Sequence, residues 1–291
     1  VSVDRIIPLV YYPTSLGEAL SLFAANPNSQ LVAGGTSFLT YPHEEYIPFN
    51  RIIINLLEAS DLRKIVIRER YVDIGPMISL GDLAKQGRIF LPEVFKTALA
   101  QLGHYSLRNQ ATLGGNLVQG FGQGDLIPVL LVLGAQVELK SYRNTRWTDI
   151  RDWLIPDTPL PGPREIISRI RIPTLPWNYA FYQKLGKYQS PPYHRGSFCT
   201  NAIVQKGIID QINIAILTPL IGTIRNRNWE AILTGQRLPL TRKERSLVFD
   251  QFEADLKELS KIPEPIRQRF FSLFSHVLSQ LSSPGFIQEL T

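Results

Sequence analysis

Leu107-Arg108-Asn109-Gln110-Ala111-Thr112-Leu113-Gly114-Gly115-Asn116 sets a polar segment against two adjacent glycines. It is neither the GxGxxG of a nicotinamide-binding turn nor the GxxxxGK[ST] of a triphosphatase loop. Paired glycines here predict a polar turn whose backbone N–H groups can approach a pyrophosphate with no Cβ in the way. A second such stretch, Leu31-Val32-Ala33-Gly34-Gly35-Thr36-Ser37, ends an apolar run that reads as a strand. About 80 positions separate the two, which is too many for one local loop but compatible with one composite site. Taken alone, each is equally well a structural turn.

Nearer the amino terminus, Ser15 and Glu18 form a candidate capping box ahead of Leu16, Ala19, Leu20 and Phe23 at helical spacing. Residues 51–56 and 71–74 read as strands, and Ser79 with Asp82 starts another short helix. Helical spacing returns at Val94, Ala98 and Leu102. Residues 126–133 read as a buried helix begun near Asp125, and Val137 with Leu139 marks an emerging strand. Pro156, Pro159, Pro161 and Pro163 interrupt regular structure before a strand-like segment at 165–173, and a domain boundary is set after Pro173. Beyond it, residues 202–204 and 212–216 flank Lys206-Gly207 as an antiparallel hairpin. Thr241 and Glu244 form a second candidate capping box. Ile266, Phe270, Phe274, Val277 and Leu281 share one face of a final packing helix. No internal repeat or long low-complexity tract is evident.

The 291 residues carry 31 Lys and Arg against 25 Asp and Glu, a net charge of +6, with 44% apolar and 19% charged residues. This excludes a disordered, collagenous or many-span membrane chain, and the length suits two ordinary domains. So modest a charge identifies no nucleic-acid partner. Cys199 is the only cysteine, so this polypeptide holds no intrachain disulfide, no thiolate-bound iron–sulfur cluster and no Cys-based zinc site; any such cluster belongs to a partner. His43, His104, His194 and His276 are too dispersed for a ligand set, and no metal is assigned. The opening VSVDRIIPLVYYP lacks a basic region followed by a long apolar run, and no run elsewhere reaches the roughly 20 apolar residues of a membrane helix. A cytoplasmic chain without a membrane anchor is expected.

Several side chains can serve a ligand. Thr36, Ser37 and Thr112 offer hydroxyls beside the glycines. Asn116 and Asp125 suit the hydroxyls of a sugar or ribityl chain, and equally suit a turn cap and a helix cap. Lys184, within Tyr182-Gln183-Lys184-Leu185-Gly186-Lys187, suits a phosphate or flavin contact or an ordinary solvent-facing role. Cys199 has no identifiable base and reads as a small buried apolar group rather than a nucleophile.

At these motifs the chain resembles the flavin-binding medium subunit, or corresponding domain, of the xanthine dehydrogenase and carbon monoxide dehydrogenase (molybdenum hydroxylase) family. The segment from Leu31 to Ser37 is similar to its first flavin pyrophosphate loop. The segment from Leu107 to Asn116, followed by Asp125-Leu126-Ile127-Pro128, is similar to its second. The likeness continues through Ile52-Ile53-Ile54-Asn55-Leu56, Val72-Asp73-Ile74-Gly75, Ala135-Gln136-Val137-Glu138-Leu139, Glu165-Ile166-Ile167-Ser168 and Ala231-Ile232-Leu233-Thr234-Gly235, covering most of residues 5–237.

The resemblance implies an α+β fold. Residues 1–173 would form an FAD-binding region of two α/β subdomains, and residues 174–291 a smaller carboxyl-terminal domain with an antiparallel sheet and helices. It implies that Ala33, Gly34, Gly35, Thr36 and Ser37 surround the FAD pyrophosphate with Thr112, Gly114 and Gly115, and that Asn116 and Asp125 contact the sugar or ribityl region. Ile167, as an apolar wall, and Lys184, as a charged contact, would approach the flavin end.

The implied function is an electron-transfer subunit of a molybdenum-dependent dehydrogenase. It would take electrons from [2Fe–2S] centres in a small partner, beyond which lies molybdopterin in a large partner, and pass them from FAD to NAD or another acceptor. The alternative is a divergent flavin-binding assembly subunit or a non-catalytic interaction subunit. Departures from the family pattern fall at Val118-Gln119-Gly120-Phe121-Gly122-Gln123-Gly124, which replaces a small-residue and Ser-Pro pattern, at Ser37, and at Tyr188, where arginine is common.

Overall fold

The computed structural model describes residues 8–36, 52–118, 124–155, 161–186, 195–218 and 220–289. Ser37, His43, residues 119–123, Pro156, Pro159, Tyr188 and His194 lie outside the described residues. In chain order, the first half runs β1 (Leu9–Tyr11), α1 (Leu16–Ala25), β2 (Gln30–Val32), β3 (Ile52–Asn55), β4 (Ile65–Ile67), β5 (Tyr71–Ile74), α2 (Leu80–Gln86), α3 (Glu93–Gln101), α4 (Tyr105–Gln110), α5 (Leu113–Leu117), α6 (Ile127–Leu133), β6 (Gln136–Lys140) and β7 (Thr145–Asp149). It continues through β8 (Ile166–Pro173), β9 (Tyr179–Leu185), β10 (Gly196–Gln205), β11 (Ile208–Thr218), β12 (Gly222–Ile224), α7 (Arg227–Leu233), α8 (Arg242–Glu258), α9 (Glu264–Leu281) and α10 (Pro284–Glu289). The chain divides into two compact units. One comprises Val1–Phe90, Gly103–Gly124 and Gly134–Thr174; the other comprises Leu91–Leu102, Asp125–Leu133 and Leu175–Thr291.

In the first unit, β1 and β2 each pair in parallel with β3, the order among the described residues being β1-β3-β2. Ser15 caps α1 by accepting the Glu18 N–H at 3.2 Å. The Glu18 carboxylate, however, accepts from the Thr14 N–H at 2.8 Å, so only half of the expected capping box forms. Asp61 satisfies another N–H of the first turn, accepting that of Leu16 at 2.9 Å. Ala19, Ile54, Leu56, Leu62 and Met77 close the core beneath this sheet.

A second sheet of this unit is antiparallel, ordered β4-β5-β8-β6-β7 among the described residues. Val72, Ile74, Val137, Ile170 and Ile172 are buried, while Arg169 and Arg171 alternate with the buried isoleucines and project from the opposite face. Arg171 grips Asp73 with two bonds of 2.7 and 2.9 Å, and its guanidinium lies 3.8 Å from the Tyr71 ring centre and 4.3 Å from that of Trp147. Arg169 grips Glu138 in the same way, at 2.8 and 2.5 Å. Burial pushes the Glu138 carboxyl up, but the bonds from Arg169 and Ser168 outweigh it and hold the group below the usual carboxylate range.

The second unit is built on an antiparallel sheet ordered β12-β11-β10-β9 among the described residues. Lys206 and Gly207 turn the predicted hairpin with φ of 50° and 73°, the pair of left-handed residues that a two-residue turn requires. Thr241 and Glu244 form the complete capping box of α8. On α9, Ile266, Phe270, Phe274, Val277 and Leu281 are all buried, as their spacing predicts, against Phe198, Ile214, Trp229 and Phe252. Helices α3 and α6, although early in sequence, pack on the strands of this sheet, α3 on β9 and β10 and α6 on β10 and β11. Together these elements make an α+β chain: sheet-and-helix subdomains followed by a smaller antiparallel sheet with flanking helices.

Candidate functional site

The second glycine motif is expected as a turn and is instead the start of a helix. The Thr112 hydroxyl accepts the Gly115 N–H at 3.1 Å and caps α5, so Gly114, Gly115 and Asn116 all lie within that helix. Its helical form follows from bonds made far along the chain. Leu80 N–H donates to the Ala111 carbonyl at 2.8 Å, Leu113 N–H to Ile78 at 3.1 Å and Gly114 N–H to Pro76 at 2.8 Å, with Ser79 and Thr112 bridged antiparallel. A Cβ on Gly114 would stand 2.6 Å from the Pro76 Cβ, so this glycine lets α5 lie against the segment entering α2.

The first motif follows β2. A Cβ at Gly34 would fall 1.9 Å from the Gln110 carbonyl oxygen, so backbone meets backbone at the end of α4. Gly35 differs: its φ is +69°, and nothing lies within 4 Å of where its Cβ would stand. Thr36 follows it directly in the chain. Gly34 therefore joins the two motifs, and Gly35 keeps the space above them open.

That space is a cleft of about 630 Å³ within the first unit, lined by Val32, Ala33, Gly34, Gly35, Gln110 and Thr112 from the two motifs. Asn55, Leu57, Arg63, Met77, Ile78, Ser79, Asp82, Gln86 and Asn109 complete the lining. The residues fit a dinucleotide: open glycine backbone for a pyrophosphate, apolar Leu57, Met77 and Ile78 for a ring, and amide, hydroxyl and carboxylate groups for sugar and base edges. Sequence reasoning missed Asn55, Asn109 and Gln110 as lining groups, although all three fall in quoted segments. Ser79 and Asp82 read only as a helix start, and they do also serve as one, the Ser79 hydroxyl accepting the Asp82 N–H at 3.0 Å.

The remaining predicted residues sit as follows. Ile167 is buried in β8. Gly124 stands against Asn116, since a Cβ there would lie 2.0 Å from the Asn116 carbonyl oxygen. In the second unit, the Lys184 ammonium on β9 pairs with Asp125, just before α6, at 2.9 Å. Lys184 is thus a paired side chain rather than a free solvent-facing one. Cys199 is fully buried and burial pushes its thiol well up, which leaves it an apolar filler as expected. Among the described residues, no group of His, Cys, Asp and Glu could hold a metal, and no helix is long and apolar enough to cross a membrane.

A family profile described as "FAD binding domain in molybdopterin dehydrogenase" matches residues 4–175. The chain belongs to that family, the FAD-binding subunits of molybdopterin dehydrogenases. It is 26% identical over 265 residues to the nicotine 6-hydroxylase medium subunit of Paenarthrobacter nicotinovorans, covering 89% of this chain and 90% of the relative. It is 30% identical over 139 residues to the xanthine dehydrogenase FAD-binding subunit of Escherichia coli O157:H7, covering 47% of each. The match to xanthine dehydrogenase of Drosophila subobscura, 32% identical over 149 residues, covers 45% of this chain and spans only 10% of that longer protein. Among solved structures, carbon monoxide dehydrogenase from Hydrogenophaga pseudoflava superposes with a TM-score of 0.77 at 20% identity, covering 94% of this chain and 96% of that one, a likeness of fold.

Proposed function

We propose that the chain is the electron-transfer subunit of a molybdenum hydroxylase-like complex, holding FAD in the cleft between the two glycine motifs. The observation that carries this is the backbone contact of Gly34 with Gln110, which brings two segments distant in sequence to the wall of one open cleft. Bound FAD supplies a carrier that accepts electrons from one partner and releases them to another.

The chain's own residues bind and orient. Gly34 lets the first motif meet the end of α4, Gly114 lets α5 lie against the segment entering α2, Gly35 leaves room for the pyrophosphate, and Thr112 fixes the start of α5. Ala33, Thr36, Ser37 and Gly115 complete the pyrophosphate contacts, Asn116 and Asp125 hold the sugar or ribityl hydroxyls, and Ile167 and Lys184 meet the flavin end. No nucleophile or catalytic acid is needed from this chain. The partners are a large molybdopterin-binding subunit and a small [2Fe–2S] subunit, with NAD or another acceptor taking the electrons. The match along nine-tenths of a protein named as a hydroxylase medium subunit supports a heteromeric assembly.

The test is gentle purification of the native complex, cofactor analysis, and anaerobic addition of NADH and of candidate substrates of the complex. Copurifying molybdopterin and iron–sulfur subunits, with bleaching of the flavin band by one donor, is the expected result. Tightly bound FAD that no donor reduces, in a chain without those partners, favours the assembly role instead.

A further inference from the structure

The lining of the cleft in the first unit holds one cation and one anion, Arg63 and Asp82. Neither belongs to an ion pair among the described residues. Arg63 stands with the first glycine motif. Val32, at the end of β2, pairs with Asn55 of β3; the Asn55 side chain accepts the Leu57 N–H at 3.0 Å, and the Arg63 guanidinium donates to the Leu57 carbonyl. Asp82 stands with the second motif. The bridge of Ser79 with Thr112 joins the start of α2 to the start of α5, and the Ser79 hydroxyl donates to Asp82 Oδ2 at 2.8 Å, which leaves Oδ1 to accept from a ligand. Gln86 follows one turn later on α2. Asn109 reaches the same helix, since a Cβ on Gly81 would lie 2.3 Å from its Oδ1.

These two sets of groups sort the parts of a dinucleotide. A pyrophosphate is anionic, so it is drawn to Arg63 and the open backbone at Gly35 and repelled by Asp82. A ribose diol brings O–H donors, which a carboxylate accepts, and a purine edge has donors and acceptors that match the amides of Gln86 and Asn109. Leu57, Met77 and Ile78 supply apolar contact for the purine face. The flavin half has no such place here. Ile167 and Lys184, proposed to meet the flavin, and Asn116 and Asp125 are all absent from the lining of this cleft.

We infer that the cleft seats the adenosine diphosphate half of FAD, with Arg63 on the pyrophosphate and Asp82 on the ribose diol. The inference deepens the proposed binding of FAD in this cleft and rests on it. Asp82 is then the residue that selects an adenine dinucleotide over a flavin mononucleotide, because only the former brings a ribose diol to its free oxygen. Adenosine diphosphate alone carries every group that the cleft recognises, so it competes with FAD.

The experiment uses the full chain freed of flavin, with FAD, FMN, ADP and 2′,3′-dideoxy-ADP as probes and the variants Asp82→Ala and Arg63→Gln, whose folding is checked by circular dichroism. FAD binding is followed by flavin fluorescence, and the nucleotides are read by competition. In the wild type, ADP displaces FAD, FMN competes at least tenfold less well than ADP, and dideoxy-ADP binds about tenfold more weakly than ADP, the size of one bond to a charged group. In Asp82→Ala, FAD and ADP both weaken about tenfold and the difference between ADP and dideoxy-ADP disappears. Arg63→Gln weakens FAD and ADP alike and keeps that difference. If FAD binds but ADP does not compete, or FMN competes as well as ADP, the inference is overturned while FAD binding itself stands. A dideoxy penalty that persists undiminished in Asp82→Ala overturns it in the same way. A folded wild-type chain that binds no FAD overturns the cofactor assignment and the inference with it.

Discussion

Gly34 and Gln110 touch backbone to backbone: a Cβ on Gly34 would lie 1.9 Å from the Gln110 carbonyl oxygen and 2.8 Å from its carbon. Neither atom belongs to a side chain that could swing away. Gly34→Ala therefore forces the two motifs apart, and the expected outcome is a loss of about 1–3 kcal/mol of stability together with loss of FAD binding. Gly35→Ala separates strain from crowding. Its Cβ meets nothing within 4 Å, so the cost is the left-handed backbone alone, about 1–2 kcal/mol. Chemical denaturation and FAD titration of both variants check this, with the expectation that Gly35→Ala still folds and loses affinity.

Thr112 joins the cap of α5 to the cleft wall. Thr112→Ala removes the acceptor of the Gly115 N–H and is expected to cost about 1 kcal/mol, whereas Thr112→Ser keeps the oxygen and most of the stability. If both variants melt like the wild type, the cap is not what holds this helix start.

The charged face of the five-stranded sheet predicts an acid limb of stability. Glu138 and Glu165 are both held below the ordinary carboxylate range, Glu165 chiefly by Arg146. Because the folded-state pKa is the lower one, the stabilisation is fully present above the unfolded-state value near 4.5 and is lost as pH falls through the folded-state value. Unfolding midpoints measured from pH 7 down to pH 3 should drop steeply below about pH 4.5. Glu138→Gln should be less stable by about 1–3 kcal/mol at pH 7 and should flatten that limb; an acid limb of unchanged steepness contradicts this account.

At the β10–β11 hairpin, Lys206 occupies a left-handed conformation with φ of 50°. Asparagine tolerates that region better, and Lys206→Asn creates an Asn-Gly pair suited to the turn. The expected gain is up to about 1 kcal/mol, with FAD affinity unchanged, since the hairpin belongs to the second unit and lies outside the cleft lining.

Local signals carried much of this fold. The hairpin at Lys206-Gly207, the capping box at Thr241 and Glu244, and the apolar face of α9 are encoded within a few residues of one another, and all three form as read. What stayed hidden depends on partners distant in sequence. Gly114 and Gly115 look like a turn until Pro76, Ile78 and Leu80 bind the segment into a helix start. Glu18 deserts its capping box because the Thr14 N–H is available to its carboxylate. Asp125 and Lys184 stand 59 positions apart, and their pairing is set by the packing of α6 on the sheet that carries β9. Asn55, Asn109 and Gln110 become cleft residues only once β3 and α4 are assembled beside the glycines.

The most direct measurement is the FAD content of the full chain after reconstitution, compared between wild type and Gly34→Ala under conditions where both are folded by circular dichroism. The cleft account predicts one FAD per wild-type chain and none retained by Gly34→Ala. Equal FAD retention by the two proteins, or a folded wild-type chain that retains none, would contradict it.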